Sequence, residues 1–488
     1  MSLLLAAVLA AIPAHTLVVG TLADPVTLDA HRATDLVSAA VLVNVCEPLV
    51  RYRLDGSRPE QALATSWATA DARSWTFTLR PGLRFHDGAA LDAAAVVANL
   101  DDLRRKRGFA GRAQVAGPSV VQVVLDRPNA ALLATFSQPF FCMQSPRQLR
   151  EAGRSPGSPL AGTGPFRLAS VQPGRIELTA DNAYWGGAPR LQTVVFRRFA
   201  DGEALLRALL SGEADVTSAL PPGRIDALRG HAQVALDART GLNLAFLSLN
   251  NERGPLRDPR VRQAVARAID RPALVREVLG GHAEAARNPL PPSLWGFASR
   301  TRELGLDRAA AKRLLAQAGL PDGFELSMLT ADTPRPYLPA PREVAARVRQ
   351  DLAAVGVRTR VRQATSWSDY LARATRGEYD LCLLGWQADT LDPNDFLASL
   401  LGSESVGTTN RSRYRSAEMD AVLTRARRAR DTRERARLYR EAQELFQQDM
   451  PWVPLYHVSV FTAHRRPVRG LAVGATGIPR YDKVWKRE

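Results

Sequence analysis

Trp386 and Asp389 follow the apolar run Leu381 to Leu384, and their side-chain types suit the binding of a ligand. A flat indole offers stacking surface and a short carboxylate offers a charge-assisted acceptor, so the pair fits a molecule with an apolar body and a cationic end. Phe396, a few residues on, would add a second apolar wall. A competing reading is that Trp386 belongs to a core and Asp389 caps a helix, because Asp392-Pro393 closes the segment as a turn from which a helix starts. Asp389, Asp392 and Asp395 recur every third residue, but they lack the glycine and terminal glutamate of a calcium loop. That spacing fits capping and the helix dipole more simply.

Catalytic signatures are missing. The chain contains no Gly-x-Ser-x-Gly, no His-Glu-x-x-His and no Cys-x-x-Cys, and its seven histidines are scattered, with His457 and His464 the closest pair. Gly162-Thr163-Gly164-Pro165 lacks the Gly-Lys-Ser/Thr of a phosphate loop, and Pro165 opposes the required helix start, so it reads as a turn entering a strand. These observations point to binding rather than turnover, with no catalytic residue, metal or cofactor expected.

The elements that must position such a ligand loop are numerous. A chain of 488 residues exceeds what one hydrophobic core supports, so two or three lobes are expected. The net charge of +16 raises nucleic acid as a partner, but only four lysines occur and the arginines are dispersed. The densest arginine stretch, Arg425 to Arg440, carries Asp431 and Glu434, with Glu441 and Glu444 following, as on a solvated helix face. Nucleic-acid binding is therefore not expected.

Leu3 to Ile12 is too short to span a bilayer and resembles the apolar region of a secretory signal, with cleavage near Ala14. Its positive leading segment is missing, which leaves a start further upstream or a trimmed chain. No cysteine follows the apolar stretch for a lipid anchor. Cys46, Cys142 and Cys382 leave open whether one disulfide forms.

After a strand at Leu17 to Thr21 and a helix over Asp35 to Asn44, Trp75, Phe77 and Leu79 alternate as a half-buried strand. Arg80-Pro81-Gly82 then turns toward Leu83 and Phe85, predicting a hairpin. Asp92 caps a further helix. A Ser/Pro/Gly-rich passage, Arg154 to Leu160, ends this region. Strands at Val194 to Phe199 and Gly241 to Leu249 surround a helix at Gly202 to Leu210. From Asn250 the chain reads as well-capped helices, opened by Asp258-Pro259, Asp270-Arg271-Pro272, Asp307 and Asp431, with strands at Phe324 to Leu329, Val357 to Val361 and Leu381 to Leu384 between them. That alternation predicts two α/β lobes.

The chain resembles the extracytoplasmic solute-binding proteins of the peptide/nickel class, which serve ATP-driven importers. The resemblance lies in Val43 to Leu49, Leu79 to Gly88, Gly162 to Phe166, Asp258 to Ala264, Ala268 to Arg271 and Trp386 to Leu397, in that order. It implies a periplasmic-binding-protein-like α/β fold of two hinged lobes with an additional inserted N-terminal lobe. The expected division is a signal-like segment at 1–15, lobe I at 16–46, 161–245 and 459–488, the inserted lobe at 47–160, and lobe II at 246–458. It also implies a periplasmic monomer that works with a membrane permease and an ATPase. By the same resemblance Asp389 meets a peptide's α-ammonium, and Arg335, in the Pro334-Arg335-Pro336-Tyr337 stretch with Tyr337, meets a dipeptide's carboxylate. Cys46 and Glu47 fall at the ligand site. Leu338-Pro339-Ala340 stands where dipeptide binders usually carry an asparagine, and Cys46 where many members have tyrosine. Di- or oligopeptides are thus the expected ligands, with glutathione, an opine, or a nickel or other metal chelate as the alternative.

Overall fold

The computed structural model describes residues 15–151, 160–301, 303–331 and 333–487. Apart from His15, the signal-like segment lies outside them, as does most of the Ser/Pro/Gly-rich passage. No described helix is long and apolar enough to cross a membrane.

Short acidic and hydroxyl side chains start most of the long helices. Asp35 accepts from the Ser38 amide at 2.8 Å ahead of the helix Leu36–Val45, and Asp92 from the Ala95 amide at 2.8 Å ahead of Ala93–Arg107. Asp431 does the same for the Glu434 amide at 2.8 Å, opening Thr432–Asp449. Each carboxylate satisfies a first-turn amide that has no partner inside the helix.

Twelve strands form one mixed sheet organised by Trp452–Arg465, which is 14 residues long and changes partners along its length. Its first part, Trp452 to Tyr456, pairs antiparallel with Asn243–Leu249, and its last part, Ser459 to Arg465, pairs antiparallel with Val234–Thr240. At the change-over the buried Asn243 amide brackets Val458, donating to its carbonyl at 2.9 Å and accepting from its N–H at 2.7 Å. A side chain thus satisfies backbone groups where the ladder is interrupted. Beyond Asn243–Leu249 lie Leu381–Gln387, then Phe324–Thr330 and Val357–Gln363, the last three parallel to one another.

Separate hydrophobic clusters are formed by residues between Leu242 and Tyr456, by residues between Leu49 and Met143, and around Leu17, Phe166, Val194 and Val484. The predicted hairpin does not form. Ser74–Leu79 pairs instead with Ala64–Thr69 and Val120–Leu125, while Leu83 and Phe85 are buried in an irregular segment of the same cluster. Alternation marked these side chains as inward-facing, which they are, but could not choose the strand's partners.

Candidate functional site

Trp386 and Gln387 prolong the strand Leu381–Gln387, so the irregular loop begins only at Ala388. Asp395, in the first turn of the following helix Asn394–Leu401, organises that loop. Its Oδ2 accepts from the Asp389 amide at 2.8 Å and the Thr390 amide at 2.7 Å, and its Oδ1 accepts from the Trp386 indole at 3.0 Å. Burial and the nearby Asp389 charge push its pKa up to about 6. Asp392 is wholly buried and accepts from Arg435 at 2.8 Å, from the Tyr439 hydroxyl at 3.0 Å and from the Asn394 amide at 3.0 Å. Trp295 donates to the Leu391 carbonyl at 2.8 Å. The loop is therefore held by Asp395, by Arg435 with Tyr439, and by Trp295.

Within this frame Asp389 is different. No hydrogen bond is donated to its carboxylate by the described residues, and it lies exposed at the mouth of a cleft. The protein around it still displaces enough water that burial raises its pKa, against the lowering effect of Arg107 at the end of the helix Ala93–Arg107. It does not cap the helix; Asp392 bonds the Asn394 amide instead. Trp386 is half-buried against the edge of the cluster between Leu242 and Tyr456.

The cleft measures about 130 Å³ and is lined on one side by Asp389, Thr390 and Leu391 and on the other by Cys46, Glu47 and Arg480. An adjoining cavity of about 300 Å³ shares Leu54, Gly474 and Ala475 with it and reaches Thr240 and Gly241, where the chain passes between the two parts of the sheet. Sequence reasoning placed Asp389, Cys46 and Glu47 together, and the fold brings them to one cleft. It gave no role to Arg480, which sits in the two-residue strand Pro479–Arg480, paired antiparallel with Ala472–Val473, in a stretch without a motif.

Cys46 and Glu47 serve the frame. Cys46 is disulfide-bonded to Cys142, across 96 residues, and Cys382 is a buried free thiol. Glu47 is buried and accepts from Thr163 Oγ1 at 3.1 Å, the Tyr184 hydroxyl at 2.7 Å and the Trp185 indole at 2.8 Å. Burial raises its pKa, while Arg480 and these donors work in the opposite direction. The Gly162-Thr163-Gly164 turn can deliver Thr163 because it lies directly on the preceding helix end. A Cβ at Gly162 would come within 2.1 Å of the Val45 carbonyl oxygen. Glu47 is consequently a satisfied buried acid rather than a free ligand contact, which corrects its expected role.

Phe396 also requires correction. It is fully buried, on the inward face that the helix shares with Leu397, Leu400 and Leu401, and cannot form a pocket wall. Tyr337 lies with its ring against Gly385, where a Cβ would approach Tyr337 Cδ2 to 2.1 Å. Arg335 stacks over Trp367 at 3.7 Å from the ring centroid, and its Nε is buried without a hydrogen-bond partner among the described residues. Neither lines the cleft that holds Asp389. Their segment nevertheless follows Phe324–Thr330, the parallel neighbour of Leu381–Gln387, so both loops leave the carboxyl edge of the same sheet, where open α/β sheets place ligands.

Asp29, His31 and Asp102 cluster closely enough to attract a metal. Lys106 Nζ, however, lies 2.8 Å from a carboxylate oxygen of each aspartate, so an ammonium already occupies the cation's position. His31 Nδ1 is 2.8 Å from Asp102 and Nε2 is 3.2 Å from the Cys142 carbonyl. This is an ion network joining the N-terminal segment to the inserted region.

The large mixed sheet, with a cavity of about 300 Å³ against its partner-changing strand, is the setting in which the likeness to known proteins falls. The family model "Bacterial extracellular solute-binding proteins, family 5 Middle" matches residues 58–408, and the chain belongs to that family of ABC-importer substrate-binding proteins. It is 30% identical to the dipeptide-binding protein of Escherichia coli K12, over 89% of this chain and 88% of that protein. The glutathione-binding protein GsiB of Salmonella paratyphi A is 29% identical, over 94% and 92%. Among solved structures, HbpA2 from Haemophilus parasuis superposes with a TM-score of 0.91 at 27% identity, covering 97% of this chain and all of that one.

Proposed function

We propose that the protein is exported to the periplasm, captures short peptides between its lobes and delivers them to a permease and ATPase without chemically altering them. The observation that carries this reading is the Asp389 carboxylate, which receives no hydrogen bond from the described residues, while the Asp395 and Asp392 carboxylates beside it each accept donors from the fold. A peptide α-ammonium enclosed there loses water and needs an ionised acceptor, which Asp389 supplies. Arg335 would meet the carboxylate end, since its Nε has no acceptor among the described residues and its planar donors match two oxygens. Trp386, half-buried on the strand that leads into this loop, would add apolar surface. The named relatives support the class: one is a dipeptide binder and another a glutathione binder.

In this reading lobe I (16–46, 161–245 and 459–488) and the inserted lobe (47–160) close against lobe II (246–458). The rotation is about the passages near Gly241 and His457, where strand pairing changes over. Calorimetry with dipeptides, glutathione and nickel chelates tests the assignment. Saturable binding of dipeptides, with a smaller radius of gyration by small-angle scattering in their presence, is expected. Binding of only the chelate would overturn it.

A further inference from the structure

Arg480 lines the same cleft as Asp389, and although Asp482, Tyr184 and Glu47 stabilise its charge, one of its donors is left over. Its side chain is 23% exposed, and the carboxylates nearest to it lie at 3.5 Å (Asp482 to Nε) and 4.0 Å (Glu47 to Nη2), both longer than a charge-assisted hydrogen bond. Its Nη2 is buried and has no hydrogen-bond partner among the described residues. Glu47 cannot easily become that partner. Thr163, Tyr184 and Trp185 already occupy its oxygens. Of the other arginines on this cleft, Arg51 is paired with Glu60 at 2.8 Å, and Arg53, 3.8 Å from Asp55, is about twice as exposed as Arg480, so water meets its donors. A guanidinium with a buried donor left over, beside an acid whose oxygens are already taken by three other donors, is a site for an incoming anion. Arg335, the proposed partner of a peptide's terminal carboxylate, is absent from this cleft, so the anion Arg480 awaits is a different one.

We infer that Arg480 selects ligands that carry a carboxylate close to the ammonium held by Asp389, the class formed by peptides with an acidic first residue and by γ-glutamyl compounds. This rests on the proposed peptide reading and adds a specificity-determining residue to it. A neutral first side chain leaves the guanidinium with its present imperfect contacts. An acidic one supplies two oxygens to the planar fork.

The test is calorimetry with Glu-Ala and its neutral isostere Gln-Ala, with reduced glutathione in parallel, on the wild-type protein and on Arg480→Gln and Arg480→Lys, each first checked by thermal melting. A hydrogen bond to a charged group corresponds to about 10- to 100-fold in affinity. The wild type should therefore prefer Glu-Ala to Gln-Ala by that factor, Arg480→Gln should bring the ratio close to one, and Arg480→Lys should retain part of it. Glutathione binding more tightly than Glu-Ala, with the same loss in Arg480→Gln, would assign the site to γ-glutamyl carriers; the reverse order would assign it to acidic α-peptides. Equal wild-type affinity for Glu-Ala and Gln-Ala would overturn the inference and leave peptide capture standing. A preference surviving in Arg480→Gln would move it to another arginine and equally refute it. If no peptide binds, the peptide reading falls and this inference with it.

Discussion

Asp389 and Glu47 face the same cleft from opposite sides, yet they are opposite kinds of carboxylate. Glu47 receives three side-chain hydrogen bonds and is almost inaccessible, whereas Asp389 receives none from the described residues and is exposed. Both have pKa values raised by burial, so the shift alone does not separate them. The count of protein donors does. A buried acid whose lone pairs are used by its own fold is part of the frame; one held in place through its backbone, with its side chain left over, is available to a ligand.

The largest expected effect comes from breaking the ligand side. Truncating one member of a desolvated charge pair costs about 2–5 kcal/mol, so Asp389→Ala should weaken peptide binding by roughly 30- to several thousand-fold in calorimetry, with Asn milder. Its melting temperature should stay within a degree or two of wild type. Glu47→Ala should do the reverse. It strands the Thr163, Tyr184 and Trp185 donors, and at about 1–3 kcal/mol for an unsatisfied buried group it should lower the urea midpoint clearly.

Removing the adjacent disulfide sharpens the same contrast. Cys46→Ser with Cys142→Ser releases a loop of 96 residues and should cost about 2–5 kcal/mol of stability, measured by urea denaturation. Peptide affinity should change far less than in Asp389→Ala.

The smallest effects are those of pH. Glu47 in the folded protein holds its proton to higher pH than in the unfolded chain. The folded state therefore binds more protons across the window from the ordinary glutamate pKa up to the raised value, and stability falls as pH rises through it. Comparing urea midpoints of wild type and Glu47→Gln across that window isolates the term. For Asp389 the readout is affinity. An ammonium needs the ionised acid, so binding should weaken as pH falls through its raised pKa, and the dependence should vanish in Asp389→Asn.

Much of the fold was legible because capping is local chemistry. Asp35, Asp92, Asp258, Asp270, Asp307 and Asp431 each bond an amide in the helix they precede, and a short acid ahead of an apolar-periodic run announces that without tertiary information. The partners of Ser74–Leu79 were not legible, since pairing with 64–69 and 120–125 is set by distant packing. At the site, Asp389 stood out by residue type, and Phe396 could have been recognised as core from its helical spacing with Leu397, Leu400 and Leu401. The roles of Asp395, Arg107 and Arg480 arise only when segments far apart in sequence meet. Three cysteines likewise allow three pairings, and nothing local selects Cys46 with Cys142.

The most direct measurement is a thermodynamic cycle crossing Asp389→Asn with N-acetylation of a dipeptide, read by calorimetry. Acetylation removes the ammonium and the substitution removes its counter-charge, so both delete one interaction and must not add. The expected result is a large loss on acetylation for the wild type and little further loss for the variant. Equal binding of acetylated and free peptide by the wild type would contradict the assignment of Asp389 as the ammonium anchor.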